Sequence, residues 1–251
     1  MKHRINVSVA LILSCALAAS PSLVLASGNS LRTAISRKMD RRLPKPERLR
    51  LTKAVQTPEG QTVTLLSDGR LLVVGGIGAE GTLSTAVIND PVTGDRVPLP
   101  NLGEARAWHS ATVLPDGRVF IFGGTGTGGG ALKSGEIFDP VTLSFTLLPS
   151  IGLTERAFHS ATLLMDGSVL LVGGNSENGK AAAKVETWDS KTKRATTLAT
   201  RLNVNRQKHK ASLLADGRVL IEAGIDEIGN SIRVIEAFDP ETSEFTLAGP
   251  V

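Results

Sequence analysis

Three histidines, His109, His159 and His209, are separated by equal intervals of fifty residues. Imidazole nitrogens are common ligands of zinc and other transition metals, so three histidines that met at one point could bind a metal ion. The alternative is that each imidazole satisfies hydrogen bonds at the start of its own strand. The residues that accompany the histidines help to decide between the two.

Two kinds of charged residue recur at fixed positions relative to the histidines. An arginine lies shortly before each histidine, and a glutamate follows further along the chain. They are Arg106, Arg156 and Arg206, and Glu136, Glu186 and Glu236. In the repeat that precedes the one with His109, the equivalent positions differ. Gln61 replaces the histidine, Pro58 the arginine and Val87 the glutamate. Arginine and glutamate are lost together, as partners in one ion pair would be. We therefore predict that the nine side chains form a structural network, not a metal site.

Composition excludes several catalytic chemistries. The chain contains no tyrosine, so a tyrosine nucleophile, a tyrosyl radical and a phenolate metal ligand are ruled out. Its single cysteine, Cys15, rules out a disulfide scaffold and a cysteine-based zinc site. A glycine string at Gly124, Gly126 and Gly129 would be typical of phosphate binding if a helix began there, but no helical pattern follows. We predict no catalytic residue, no metal and no cofactor.

Glu222 is a carboxylate at a position that is apolar elsewhere in the chain. The equivalent residues are Val74, Phe122 and Val172. Burying an unpaired carboxylate is costly. Three explanations are open: Glu222 pairs with Lys208 or Lys210, its face is open to solvent, or it is a catalytic acid that lacks a second acid or a nucleophile beside it.

The elements that must position these residues are repeats. Asp-Gly pairs recur every 48 to 50 residues, and each precedes an apolar run that ends in small residues. The pairs and run ends are Asp68, Gly69, Gly75 and Gly76; Asp116, Gly117, Gly123 and Gly124; Asp166, Gly167, Gly173 and Gly174; and Asp216, Gly217 and Gly224. Asp-Gly between apolar runs predicts a type I′ hairpin turn, in which both central residues need positive φ.

Each repeat is interpreted as four antiparallel strands, called A to D in chain order, because no helical period appears between the turns. In the second repeat the strands are predicted near 109–115, 118–123, 135–139 and 144–148. Four-stranded sheets that recur and cannot cover their own faces pack radially as propeller blades. The predicted fold is all-β, with four four-stranded antiparallel blades at about 57–102, 103–152, 153–202 and 203–251.

The recurring order Arg-x-x-His, Asp-Gly, apolar-Gly-Gly and Glu-x-aromatic-Asp-Pro resembles the kelch repeat of bacterial kelch proteins and of the galactose oxidase propeller domain. The resemblance covers residues 61–248 and implies a kelch-type β-propeller. The copper oxidase of that family needs two tyrosine ligands, and sialidases, which share propeller architecture, need a tyrosine nucleophile. This chain has no tyrosine, so neither chemistry is carried over.

Residues 1–26 have the pattern of a secretory signal peptide, with a basic start, an apolar run and a cleavage site after Ala26. A lipoprotein signal acylated at Cys15 is an alternative. Residues 27–56 are a basic N-terminal arm or linker, in which nine Lys or Arg oppose Asp40 and Glu47. We interpret the arm as solvated, and expect no nucleic-acid partner and no membrane span. The mature protein is predicted to be secreted or periplasmic.

Loops on a rigid ring are where binding usually resides. The B–C loops (77–84, 125–134, 175–184 and 225–233) and the D–A loops (97–108, 147–158 and 197–208) are predicted to emerge on one face. We therefore predict an exported, non-catalytic propeller that binds a protein or a glycan there. The alternatives are an N-terminal module or fragment of a larger secreted toxin or surface protein, and a galactose-oxidase-like carbohydrate-active enzyme without its copper site.

Four repeats predict an open or partial ring. The first repeat begins with its own inner strand and the fourth ends with its own outer strand, so no strand is borrowed for closure. One face each of blades 1 and 4 would lack a neighbour, and self-association through these faces is expected. Pro58 and Asn89 in blade 1, and Glu222 in blade 4, are departures typical of capping repeats.

Overall fold

The structure is a computed structural model that describes residues 58–149, 151–176 and 179–250. Over these residues all regular elements are β-strands, and no helix is long and apolar enough to cross a membrane. The predicted signal peptide (1–26), with Cys15, and the whole basic arm (27–56) precede them and lie outside the described residues.

The chain forms four blades, each a four-stranded antiparallel sheet whose strands pair in chain order, as predicted. Blade 1 contains β1 (Thr62–Leu65), β2 (Leu71–Val74), β5 (Ala86–Asn89) and β6 (Arg96–Pro98), with a hairpin of β3 (Ile77–Gly78) and β4 (Gly81–Thr82) in its B–C loop. Blade 2 contains β7 (Ser110–Val113), β8 (Val119–Phe122), β9 (Gly135–Asp139) and β10 (Ser144–Leu148). Blade 3 contains β11 (Ser160–Leu163), β12 (Ser168–Val172), β13 (Lys184–Asp189) and β14 (Arg194–Arg201). Blade 4 contains β15 (Lys210–Leu213), β16 (Val219–Glu222), β17 (Val234–Asp239) and β18 (Glu244–Pro250).

The Asp-Gly turns between strands A and B differ from the predicted type I′ turn. In the second blade, Gly117 N donates to Leu114 O at 2.9 Å and Leu114 N donates to Arg118 O at 2.7 Å. Gly117 has a φ of 84°, whereas Asp116 is not in the positive-φ region. The loop is therefore a type I turn closed by a left-handed glycine. Asp116 keeps a right-handed conformation because its carboxylate accepts the Arg118 N–H at 3.1 Å.

Each pair of neighbouring blades shares one hydrophobic core. Leu72 and Ile121 lie in the core between blades 1 and 2, and Leu170 and Ile221 in that between blades 3 and 4. Between blades 2 and 3, Trp188 stacks on Phe120 with ring centroids 4.0 Å apart. We call the side of a blade that packs on the preceding blade its front face, and the side that packs on the following blade its back face.

The ring is open between blade 4 and blade 1. The inner strands contact each other in the order β1, β7, β11 and β15, and one core accompanies each contact. Over the described residues, no core and no comparable strand contact joins blade 4 to blade 1. The front face of blade 1 is correspondingly uncovered, with Val63 57% and Leu65 61% exposed. The predicted open ring is confirmed.

The first glycine of each apolar-Gly-Gly run is where the next blade approaches most closely. A Cβ at these glycines would lie within 2.2 to 2.5 Å of the main-chain oxygen of the next blade's arginine. The pairs are Gly75 with Arg106, Gly123 with Arg156, and Gly173 with Arg206. The second glycine of each run donates its N–H to that same oxygen at 2.9 to 3.0 Å. Blades can pack at this distance only where the first residue has no side chain.

Replacing Gly173 by alanine is expected to destabilise the fold by about 2 to 4 kcal/mol, because the new Cβ would push blade 4 away from blade 3. Ala223 occupies the equivalent position of blade 4 at a φ of 58°. Since no described residue packs on it from a further blade, Ala223→Gly should change the free energy of unfolding by less than about 1 kcal/mol. Urea unfolding measures both variants, and equal effects would contradict this account.

Candidate functional site

An ion pair joins the arginine and the glutamate of the same repeat in blades 2, 3 and 4. The pairs are Arg106 with Glu136 (Nη2 to Oε1, 3.0 Å), Arg156 with Glu186, and Arg206 with Glu236 (Nη2 to Oε1, 2.7 Å). All six side chains are almost completely buried. The structure brings each arginine to its own blade's glutamate and not to that of the neighbouring blade.

Each pair also binds main-chain groups from separate loops. Arg106 Nη1 donates to Gly123 O at 2.8 Å, at the end of strand B. Glu136, on strand C, accepts the Gly103 N–H of the D–A loop at 2.9 Å. In blade 4, Glu236 accepts the Asn203 N–H at 2.7 Å in the same way. One buried pair therefore connects strand B, strand C and the loop that enters the blade.

Burial and ion pairing act on the arginine and glutamate side chains in opposite directions. Burial lowers the pKa of the Arg106 and Arg156 guanidinium groups, while the adjacent glutamates oppose that shift. Burial alone would raise the pKa of Glu186, but Arg156 and hydrogen bonds from Thr154 and Lys184 hold it below its usual value. A carboxylate held in this way is neither a general acid nor a free ligand.

Glu136→Gln is expected to lower the free energy of unfolding by about 3 kcal/mol, because it leaves the Arg106 charge buried without its partner. The matched comparison is the exposed pair of Arg118 with Asp116, whose charged atoms are 2.6 Å apart. Arg118→Gln should cost less than about 1 kcal/mol, since exposed ion pairs contribute little. Urea unfolding of both variants checks this, and a smaller loss for Glu136→Gln than for Arg118→Gln would refute it.

The three histidines join neighbouring blades. Each Nε2 atom shares a hydrogen bond with a hydroxyl on the inner strand of the preceding blade. The pairs are His109 with Thr62 (2.8 Å), His159 with Ser110 (2.9 Å) and His209 with Ser160 (2.8 Å). The structure describes no group of three His, Cys, Asp or Glu residues that could hold a metal ion in 58–149, 151–176 and 179–250.

A serine hydroxyl beside an imidazole is also the arrangement of a nucleophile and its base in hydrolases. Here no carboxylate among the described residues accepts a hydrogen bond from the Nδ1 atoms of His109, His159 and His209, so no carboxylate orients the ring. Burial, reinforced by the neighbouring arginine, lowers the pKa of His109 to about 3 and that of His209 to about 4. Such imidazoles are weak bases at neutral pH and are better suited to joining blades.

Acid should weaken the fold through these histidines. An unfolded imidazole has a pKa near 6.5, so between that pH and about 4 the unfolded chain binds protons that the folded chain does not. The free energy of unfolding should therefore fall as the pH drops through this window, with a slope approaching about 1.4 kcal/mol per pH unit for each histidine.

The matched variant is His209→Gln, which introduces the residue that blade 1 carries as Gln61. In this variant the free energy of unfolding should depend less steeply on pH, because one of the three titrating histidines is gone. Urea unfolding at a series of pH values measures the slope. An unchanged slope would show that His209 does not titrate between the folded and unfolded states.

Glu222 lies on the back face of blade 4, directly across the sheet from Lys210. It is partly exposed, and within the described chain it forms no ion pair shorter than 4.0 Å. Of the three explanations that the sequence leaves open, the structure favours a face that is open to solvent, because blade 4 has no described neighbour on that side.

The B–C and D–A loops meet on one face of the propeller, which we call the loop face. Ala107 of a D–A loop pairs with Thr125 of the B–C loop in the same blade, and Ala157 pairs with Asn175. The glycine string lies in this part of blade 2, where Gly126 N donates to Gly130 O at 3.0 Å and no helix follows. An N–H used inside its own loop is not available to a phosphate.

A row of residues crosses the loop face at the inner ends of the blades, one from each repeat just before the histidine position. It consists of Gly60, Trp108, Phe158 and Lys208. The N–H groups of Trp108, Phe158 and Lys208 each donate to the carbonyl of the preceding member at 2.8 to 3.0 Å, and all four residues have positive φ between 53° and 72°. Bulky residues rarely adopt this conformation, and such strain collects at functional sites. The one sequence signal was the aromatic residue of Arg-Ala-aromatic-His, which occurs in two successive repeats.

The side chains of the row stack on one another. The Trp108 and Phe158 rings are 4.8 Å apart and tilted by 32°, and Lys208 Nζ lies 4.9 Å from the centre of the Phe158 ring. Both rings are partly exposed and Lys208 is exposed. On the same face, Gly103, Glu104 and Leu132 help to line a shallow hollow of 460 Å³ between two loops of blade 2. The loop face thus offers aromatic, cationic and anionic groups within one rigid surface.

The class of protein follows from this geometry and from its similarity to known proteins. Residues 109–152, which include the four strands of blade 2, match the Kelch motif. The four blades together have the arrangement of a β-propeller. No curated protein matches the sequence.

Solved structures that share the fold include YjhT and a fungal alcohol oxidase. YjhT has a TM-score of 0.68 and 16% identity, over 77% of this chain and 71% of that chain. A fungal alcohol oxidase of the AA5 family, solved in complex with copper, has a TM-score of 0.51 and 17% identity, over 76% of this chain and 53% of that chain. At these identities the similarity is one of fold.

Proposed function

We propose that this chain is an exported, non-catalytic propeller that binds a protein or a glycan through its loop face. The observation that carries the proposal is the row of Trp108, Phe158 and Lys208. Three neighbouring blades present these side chains at equivalent positions, and each accepts a left-handed backbone conformation to do so. Rigid aromatic side chains with a polar neighbour are typical anchors of binding surfaces.

The absence of tyrosine supports the non-catalytic part of the proposal, because the copper oxidase and sialidase chemistries known on related propellers both need it. The Arg–Glu pairs and His–hydroxyl pairs are engaged in holding the blades. β16, which ends at Glu222, contains no second acid, and a lone carboxylate is a poor basis for general acid–base catalysis.

Export is proposed from the leader at residues 1–26, whose basic start, apolar run and small or aliphatic residues before Ser27 are typical of a cleaved signal. N-terminal sequencing of the protein from cells would distinguish a start at Ser27 from an unprocessed Met1 or an acylated Cys15.

Tryptophan fluorescence can report binding at the loop face. The chain has two tryptophans, the partly exposed Trp108 and the fully buried Trp188. In a Trp188→Phe variant, the emission comes from Trp108 alone. Titration with oligosaccharides and peptides selected on arrays should shift or quench this emission as the ligand covers the ring.

The matched control is Trp108→Phe, which keeps an aromatic side chain in the row and leaves only the buried Trp188 as reporter. Its emission should not respond to the same ligands. Trp108→Ala should weaken binding by about tenfold or more, as expected of an interface anchor. A ligand that binds the two single-tryptophan variants equally well without changing Trp108 emission would place the binding surface elsewhere.

A further inference from the structure

The back face of blade 4 departs from those of blades 1, 2 and 3 at three positions that contact the next blade. The hydroxyl that meets the next histidine, in Thr62, Ser110 and Ser160, is replaced by Lys210. The apolar residue paired with it across strands A and B is replaced by Glu222. The first glycine of the run is replaced by Ala223.

Each replacement opposes the regular packing of a following blade. At the equivalent glycines, an added Cβ would lie within 2.5 Å of the arriving arginine carbonyl, so Ala223 has a methyl group where that oxygen must lie. Lys210 and Glu222 would both have to give up water in the new contact, and burying an ion pair seldom recovers the cost of removing both charges from water. The back face of blade 4 therefore rejects a blade of the same kind, whether from this chain or from a second copy.

The front face of blade 1 is different in character. Val63 and Leu65 are more than half exposed, and Val73 and Val87 continue the apolar surface into a hollow of 530 Å³. The equivalent front-face residues of blade 2, Ala111 and Val113, pack against blade 1. Blade 1 thus exposes a face that every other blade covers.

We propose that the front face of blade 1 binds the same face of a second copy, which gives a closed two-fold dimer. A head-to-tail arrangement would bring the front face of blade 1 to the back face of blade 4. There the Ala223 methyl group would block the main-chain oxygen of Pro58, which occupies the arginine position, and Lys210 and Glu222 would lose water against Val63 and Leu65. In a two-fold contact, a residue of one copy meets a second residue of the other copy, and the reverse contact also forms. Arg96 and Asp90 line the same hollow, so a second copy can set each arginine against the partner's aspartate. The loop face takes no part in this contact, so the proposal goes beyond binding at the loop face.

The test is sedimentation equilibrium of the mature protein from low to high micromolar concentration, compared with two variants. Val63→Asp places a charge in the centre of the proposed contact and should raise the dimer dissociation constant at least about tenfold. Ser212→Asp introduces the same charge on the back face of blade 4, where residue 212 is exposed, and should leave the dimer unchanged. Because Val63 is already 57% exposed, the urea midpoint of the dilute Val63→Asp protein should stay close to that of the parent.

A dimer that Val63→Asp weakens and Ser212→Asp spares supports the proposal. Species that grow beyond the dimer with concentration would mean head-to-tail contacts and would overturn it. A dimer weakened by Ser212→Asp alone would also overturn it, as would a monomer at every concentration.

Discussion

The propeller depends on one residue that serves two blades at once. The main-chain carbonyl of each arginine in blades 2, 3 and 4 lies against the paired glycines of the preceding blade, while its guanidinium binds the glutamate of its own blade. The position of the carbonyl sets how closely two blades approach, and the buried ion pair holds that carbonyl in place. Gly123 lies against the main-chain carbonyl of Arg156, and Glu186 binds its guanidinium. A change in either residue therefore affects the same contact between blades 2 and 3.

This contact also accounts for the strained row on the loop face. Two residues after each arginine, Trp108, Phe158 and Lys208 continue the inter-blade hydrogen bonds in a left-handed conformation. A strained conformation persists where the surrounding structure determines it. Here the arginine on one side and the histidine–hydroxyl pair on the other fix the backbone, so the aromatic side chains are presented by a rigid part of the ring.

Much of the architecture is visible in the sequence because its signals lie within one repeat. The Arg–Glu pair could be recognised because blade 1 loses both partners together, as Pro58 and Val87 show. The histidine's partner was harder to find, since Ser110 belongs to the repeat before His159 and serine is common. The type I′ prediction was wrong because the turn dipeptide does not reveal that Asp116 stays right-handed. The row of Trp108 and Phe158 was missed because an aromatic residue before a histidine has no motif of its own.

Blades 1 and 4 differ from the regular repeat on the face that has no neighbouring blade. Blade 1 keeps what a following blade needs, namely Thr62, Gly75 and Gly76, and lacks the arginine, histidine and glutamate that engage a preceding one. Blade 4 keeps those three side chains, because it packs on blade 3, and has replaced the hydroxyl and the glycine that a following blade would contact. Loss of repeat signature by chance would affect both faces of a blade alike. The one-sided losses indicate that each residue is retained for the neighbouring blade that it contacts. The repeat positions that join the blades are therefore also the positions that differ at the open gap.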